Sequence, residues 1–403
     1  MIITHIDIYE HKIRNGLILI GCRIHTDEGI YGDGEVGLAY GWIKNSAIGA
    51  LMDSAEQIVG MNPLEHEVIW HYLYKESFWG QNGGPSFYGS LSAIDIALWD
   101  IKGKYFNVPV STLLGGKMRD KIRCYASHIQ YGWDSLAGPD RLVNGRPKRE
   151  DYPHRAMLAV ADGFSAVKLD IWEFDDNGNY TEDDHLHTLI TRERMHTYEQ
   201  RLSDIRQAVG PNTDIILDAH ACMSADAAIQ FAEMAKKYHI YYLEEPTLSS
   251  PELAEYVRNY VDIPLAYGER IYSRWQYRPY FEKNSIQIAQ PDIGNTGGIT
   301  EAKKIADMAK LYDINIQLHS CSSPLSVFAS LQLEAVLPNF EIHEYFFEQP
   351  NQYMKQTCKY DYETENGYIT VPDRPGLGNE WSEYFLTVSK KTVITKSGCS
   401  KYF

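Results

Sequence analysis

Asp214-Ile-Ile-Leu-Asp-Ala-His220 and Ile240-Tyr-Tyr-Leu-Glu-Glu245, joined by an amphipathic run over residues 225–237, decide how this chain folds. Each quoted segment is a short apolar run closed by a carboxylate, which reads as a buried strand. The segment between them repeats its apolar positions at helical spacing. A strand, a helix and a second strand of this length form a parallel β-α-β unit. Working outward, the same rhythm recurs. Strand candidates are 122–128, 165–170, 214–220, 240–245, 263–269, 286–292, 314–319 and 340–346, with further amphipathic stretches at 300–312 and 324–336. Eight strands alternating with helices imply an α/β fold, a (β/α) barrel in preference to a doubly wound sheet, although an open sheet fits the same pattern.

The residues that close the strands form a second pattern. Asp170, Asp218, Glu244, Glu269, Asp292, His319 and Glu344 each follow an apolar run, and from Asp218 onward the gaps are 26, 25, 23, 27 and 25 residues. One such acid is an ordinary helix cap or loop residue. Six in register place charged groups at equivalent C-terminal strand ends, the face where barrel enzymes carry their sites. Carboxylates gathered there must protonate or bind a cation, and three oxygen ligands with open positions suit Mg²⁺. Asp218, Glu244 and Glu269 are the expected ligands.

The flanks differ from this core. Residues 1–36 alternate polar and apolar with turns at Asn15-Gly16, Asp27-Glu28-Gly29 and Gly32-Asp33-Gly34, an antiparallel meander. Helical spacing follows at 46–59 and 90–106, so residues 1–120 read as an α+β unit and 121–350 as the barrel. Residues 351–403 are mixed, with a hairpin arm expected from Tyr368 and an edge segment at the tail. A length of 403 residues fits about two to three domains of about 150 residues.

Composition excludes other classes. With 44% hydrophobic and 23% charged residues the chain is globular. Its 38 basic against 54 acidic residues give a net charge of -16. That field repels phosphate backbones and anionic lipid, and the basic stretch 141–149 is short and interrupted, so neither nucleic acid nor membrane is an expected partner. Six isolated cysteines suggest reduced thiols. The first residues lack the features of a signal peptide and no apolar run approaches the roughly 20 residues of a membrane helix, so a cytoplasmic protein is expected.

Several ordered motifs carry a resemblance. Leu243-Glu-Glu-Pro246, Gly268-Glu-Arg270, Ser273-Arg-Trp275, the run from Gln290-Pro-Asp292 through Gly297-Gly298 to Glu301, and Ser92-Ala-Ile-Asp-Ile-Ala-Leu-Trp-Asp-Ile-Lys-Gly-Lys are similar to the mandelate racemase branch of the enolase superfamily. Within it they resemble the sugar-acid dehydratases of the galactonate and gluconate type. The resemblance implies a modified (β/α)7β barrel and an α+β cap completed by the C-terminal segment. It also implies Mg²⁺ on Asp218, Glu244 and Glu269, an acid-sugar substrate, and a homo-oligomer. In such dehydratases the metal binds the substrate carboxylate, a base removes the C2 proton, and an acid assists departure of the C3 hydroxyl.

His319 is the expected base, with Asp292 bonded to its other ring nitrogen. His220, two residues after Asp218 and so expected on the same strand face, is by resemblance the general acid. Glu344 is expected beside His319 in protonated form, held so by the acidic pocket, and bonded to the developing oxyanion. Asp170, Arg270 and Lys168 are expected substrate-binding groups. Lys168-Leu-Asp170 departs from the Lys-x-Lys motif of the racemases, yet Lys168 keeps a racemase or epimerase as an alternative, alongside a non-catalytic metal-binding regulatory relative. A histidine base on the seventh strand implies an R-configured C2, which suits gluconate or galactonate better than mannonate. Asp183-Asp184-His185-Leu-His187 reads as a solvated loop or a helix start, Gly294–Gly298 as a βα turn, and Cys222 and Cys321 as small wall residues. The stretches 74–88 and 10–15 are candidate substrate-contacting loops of the cap.

Overall fold

The structure is a computed structural model that describes residues 1–14, 17–38, 42–133, 147–181, 186–346 and 355–396. Strands β1 (Ile3–Arg14), β2 (Leu17–Thr26) and β3 (Tyr31–Val36) form the expected meander. The barrel strands are β4 (Lys121–Ser127), β5 (Ala166–Leu169), β6 (Asp214–Asp218), β7 (Ile240–Glu244), β8 (Leu265–Tyr267), β9 (Ile288–Ala289), β10 (Asn315–Ile316) and β11 (His343–Phe346). They pair in parallel in chain order, β11 returns to β4, and a parallel bridge between Ile316 and Phe340 closes the circle. All eight expected strands are present. Ile215, Ile216 and Leu217 are buried on both faces of β6, which is why the sequence there is continuously apolar rather than alternating. Ser224, Ser250 and Ser323 open the helices Ala225–Ala235, Pro251–Arg258 and Pro324–Glu334 by accepting a hydrogen bond from a backbone N–H two or three residues on.

The far end of the chain is divided between the two sheets. β12 (Tyr368–Thr370) follows a tight turn in which Glu365 and Tyr368 exchange backbone hydrogen bonds, and it adds antiparallel to β4, Ile369 opposite Ile122. β13 (Lys390–Ile394) is an edge strand, pairing with β1 in a sheet of order β13-β1-β2-β3. The helices Lys44–Ile58, His66–Glu76 and Pro85–Phe106 cover this cap sheet around a core that includes Ile6, Ile20, Ile24, Leu51, Ile69 and Ile94.

Polar contacts lock cap to barrel. Ser92 Oγ accepts from the N–H groups of Gly297 and Gly298 at 2.8 and 2.9 Å, and Asp95 accepts from the backbone N–H and hydroxyl of Thr300 at 2.9 and 2.6 Å. Gly298 is left-handed, and a Cβ there would lie 2.3 Å from the Asp95 carboxylate, so glycine is required. The helix Gly298–Lys310 therefore starts on side chains supplied by the cap. Nearby, the N–H of Gly37, just past β3, donates to Gly294 at 2.7 Å. This brings the cap sheet to the rim of the barrel.

Candidate active site

Inside the barrel, Tyr125, Ala166, Ile216, Tyr242, Ala266, Ile288 and Ile342 form one apolar layer. Side chains two residues on point the same way. Ser127, Lys168, Asp218, Glu244, Gln290 and Glu344 consequently form a second, polar layer above the first. Lys168 is fully buried, its Nζ 3.0 Å from Asp218, 2.9 Å from Glu244 and 2.7 Å from Glu344. Glu344 also accepts from Ser127 Oγ at 2.8 Å and from the Ser320 N–H at 3.0 Å. Burial raises its pKa, but Lys168, His319 and His128 outweigh that and hold the carboxyl down at about 2. The expected protonated Glu344 is thus corrected to a carboxylate. The crowded pocket contains an ammonium that the spacing of acids did not reveal.

His319, three residues past β10, donates or accepts at both ring nitrogens: Nδ1 lies 2.6 Å from Asp292 Oδ2 and Nε2 2.9 Å from Glu269 Oε2. Asp292 is itself fixed by the Gly294 N–H at 2.7 Å. Burial opposes the imidazolium, and Glu269 together with Asp292 raises the pKa well above the usual value in spite of it. Arg270 pairs with Glu269 and with Glu245. Glu245, buried beside it with φ +36°, is pushed up to about 7 by burial and by Glu269.

His220 reaches the site by another route than strand alternation. β6 ends at Asp218, and His220 and Ala221 are left-handed, with φ of 46° and 63°. The His220 N–H donates to Asp218 Oδ1 at 3.1 Å, and the turned ring sits 3.5 Å from Asp218 and 3.7 Å from Asp170. Those carboxylates and Glu269 outweigh burial and push it up to about 10. Asp170 accepts from the N–H groups of Trp172 and Glu173 and its own pKa is raised, chiefly by burial.

His128 and Tyr131 are site residues that sequence reasoning missed. His128 Nε2 is 3.3 Å from His220 Nε2, and its ring stacks on His220 and Phe346 at 5.3 and 5.4 Å. Burial, Lys168 and His220 push its pKa down to about 3. His128 is the terminal residue of the stretch 122–128, so the strand-end signal was available at the first strand. Together with Tyr131, Asp218, His220, Glu269, His319, Cys321 and Phe346 it lines a pocket of about 200 Å³. Cys321 is a wall residue there.

The three expected metal ligands are not gathered in one group. Among the described residues, the groups of three whose ligand atoms lie within 4.8 Å of one another are His128, Asp218 and His220 in the pocket and His5, Asp7 and His25 on the cap. Asp218 and Glu244 share Lys168, while Glu269 faces His319 and Arg270. The donors nevertheless fit a divalent cation. Glu244 Oε2 is buried with no hydrogen-bond partner, and burial, Asp218 and Glu344 raise its pKa well above the usual range. A hard cation with oxygen ligands relieves that crowding.

Other candidates lie elsewhere. Glu10 is within β1 and pairs with Lys390, and Tyr88 is buried in the cap. Tyr74 instead stacks on Trp275 at 4.9 Å in a separate hollow. Asn15, Asp183, Asp184 and His185, and most of the basic stretch 141–149, lie outside the described residues.

Residues 151–385 match the model described as enolase C-terminal domain-like, and residues 14–115 match the mandelate racemase/muconate lactonizing enzyme N-terminal domain. The chain belongs to the mandelate racemase/muconate lactonizing enzyme family of the enolase superfamily. A D-galactonate dehydratase of Ralstonia pickettii (strain 12J) is 30% identical over 380 residues, 92% of this chain and 90% of that protein. A D-gluconate dehydratase of Thermoproteus tenax is 28% identical over 341 residues, 84% of this chain and 63% of that one. Among solved structures, an enolase superfamily member from Salmonella Typhimurium superposes with a TM-score of 0.92 at 42% identity, covering 98% of this chain and all of the other. No helix among the described residues of this family member is long and apolar enough to cross a membrane.

Proposed function

We propose that the protein is a Mg²⁺-dependent dehydratase that converts an aldonic acid, D-galactonate or D-gluconate, to its 2-keto-3-deoxy acid. The observation that carries this reading is the pair of histidines on one pocket, each held by carboxylates: His319 by Asp292 and His220 by Asp170 and Asp218. Dehydration requires a base at C2 and an acid at the C3 hydroxyl. The dehydratases similar to this chain along most of its length support the substrate class.

Asp218, Glu244 and Glu269 would hold the ion. When bound, it supplies a positive charge that binds the substrate carboxylate and favours loss of the C2 proton. Glu269 is the main group holding His319 as an imidazolium, and an ion on Glu269 would remove that pull and leave the ring neutral. The neutral ring would then accept the C2 proton at Nε2, while Asp292 on Nδ1 fixes the tautomer and stabilises the imidazolium as it forms. His220 donates its proton to the departing hydroxyl. Lys168 stays protonated among three carboxylates and offsets charge beneath the substrate, so it serves neither as a base nor as the second group of a racemase.

Incubating the protein with Mg²⁺ and each C5 and C6 aldonate, with detection of 2-keto acid, tests the reading. Product from D-galactonate or D-gluconate is expected. Deuterium entering C2 without loss of water would instead indicate a racemase or epimerase. Silence across the series with metal bound would indicate a non-catalytic relative.

A further inference from the structure

The cap sheet carries a second group of metal-ligating side chains, outside the pocket lining. His5 and Asp7 are two residues apart on β1 and share a face, and His25 on β2 stands directly opposite His5. The two imidazoles stack with centroids 4.2 Å apart and planes within 6°. Asp7 is only 2% exposed. Its Oδ2 lies 3.1 Å from His25 Nε2 and 2.6 Å from Lys391 Nζ and accepts from the Tyr9 hydroxyl, whereas Oδ1 is buried without a hydrogen-bond partner. One ligand atom from each of His5, Asp7 and His25 falls within 4.8 Å of the other two.

We propose that His5, Asp7 and His25 form a binding site for a divalent transition-metal ion, zinc or a close chemical relative. Two imidazoles and a carboxylate are a zinc donor set, with a remaining position for water. Ligands of one tetrahedral ion with bonds of about 2.1 Å stand roughly 3.4 Å apart, close to the His25–Asp7 separation. Asp7 Oδ2 is the oxygen that faces His25, and an ion bound there would take the place of the Lys391 ammonium as its cationic partner. The barrel pocket holds another group of two imidazoles and a carboxylate, His128, Asp218 and His220, so substitutions at His5 and His25, not donor type, tell the two sites apart. Lys391 is the competitor. Its side chain is 44% exposed, so it can swing into solvent when the ion enters. Bound there, the ion would cross-link β1 to β2.

Zinc titrated into the full chain in excess Mg²⁺, with bound metal measured after equilibrium dialysis, tests the site. The wild type should take up one zinc more than His25→Ala and His5→Gln, and zinc should raise the thermal midpoint of the wild type but not of these variants. Lys391→Ala should bind zinc more tightly. Circular dichroism checks that each variant is folded, and His5→Gln keeps a polar side chain of similar reach should His25→Ala fail. Zinc uptake identical in wild type and both histidine variants, or none in the wild type, overturns the proposal. Because the readout is a difference between variants, it is independent of which ion the barrel prefers.

Discussion

His220 stands between two carboxylates, and that position decides its protonation. Asp218 at 3.5 Å and Asp170 at 3.7 Å keep the ring an imidazolium at neutral pH, with a pKa near 10. An imidazolium can donate to a leaving hydroxyl; a neutral ring with the same contacts does so less readily. The variant His220→Asn keeps a hydrogen-bonding side chain but has no proton to give. Formation of 2-keto acid should fall by about 10²- to 10⁴-fold, the usual weight of one general acid. Exchange of the C2 proton in deuterated water, followed by NMR, should continue, because His319 and Asp292 are untouched. Loss of both reactions together would remove the division of labour between the two histidines. The acid form also dictates a sign with pH. Dehydration should decline as pH climbs through the His220 pKa, and the decline should set in below about 10 because the ion would offset the charge of Asp218 and Glu269.

At the scale of elements, the joint between cap and barrel carries a titratable group of its own. Asp95 on the helix Pro85–Phe106 accepts from the backbone N–H and the hydroxyl of Thr300 in the first turn of the helix Gly298–Lys310, and Trp99 Nε1 donates to the same threonine hydroxyl at 2.9 Å. Burial pushes Asp95 up to about 7 although Thr300 works the other way. The folded protein then holds this proton more tightly than the unfolded chain does. Its contribution is fully present below the ordinary carboxyl pKa near 3.8 and is lost as pH rises through about 7. Asp95→Asn keeps an acceptor for Thr300 and removes the titration. Thermal midpoints of wild type and variant should therefore diverge between pH 5 and 7.5, with the wild type losing more; parallel curves would show that Asp95 does not titrate there. The same joint marks the limit of what the sequence discloses. The run from Ser92 to Lys104 is recognisable as a motif, but its partners are some 200 residues away in chain, and no periodicity points to them. The eight barrel strands were readable because each is a contiguous apolar run between helices. β9 and β10 hold only two paired residues each, so Asp292 and His319 lie beyond their strands, not at the ends. β12 and β13 were less readable, since strand pairing between distant segments leaves no local trace: one joins β4, the other β1.

Over the whole molecule, a net charge of -16 is a weak guide to the site, because what matters is which charges are buried together. Asp170, Asp218, Glu244, Glu269, Asp292 and Glu344 are all drawn into the barrel mouth, with Lys168 and Arg270 beside them and the two histidines between. Spacing disclosed the acids; the ammonium among them, and the left-handed turn that aims His220, depend on side-chain reach and backbone conformation. Such a cluster opposes folding unless a cation completes it, since buried like charges repel and Glu244 Oε2 has no partner. Binding to the folded state alone must then stabilise the protein, by about 2.7 kcal/mol at a free concentration 100 times the dissociation constant. Thermal unfolding should accordingly shift upward on adding Mg²⁺ and return on chelation. Glu244→Gln should abolish most of that shift. It should also melt no lower than the wild type in chelator, because the amide oxygen still accepts from Lys168 while the repulsion between Glu244 and its neighbours Asp218 and Glu344 is removed. If instead the wild type melts at the same temperature with and without Mg²⁺, Lys168 alone balances the cluster, and the three carboxylates are not a metal site.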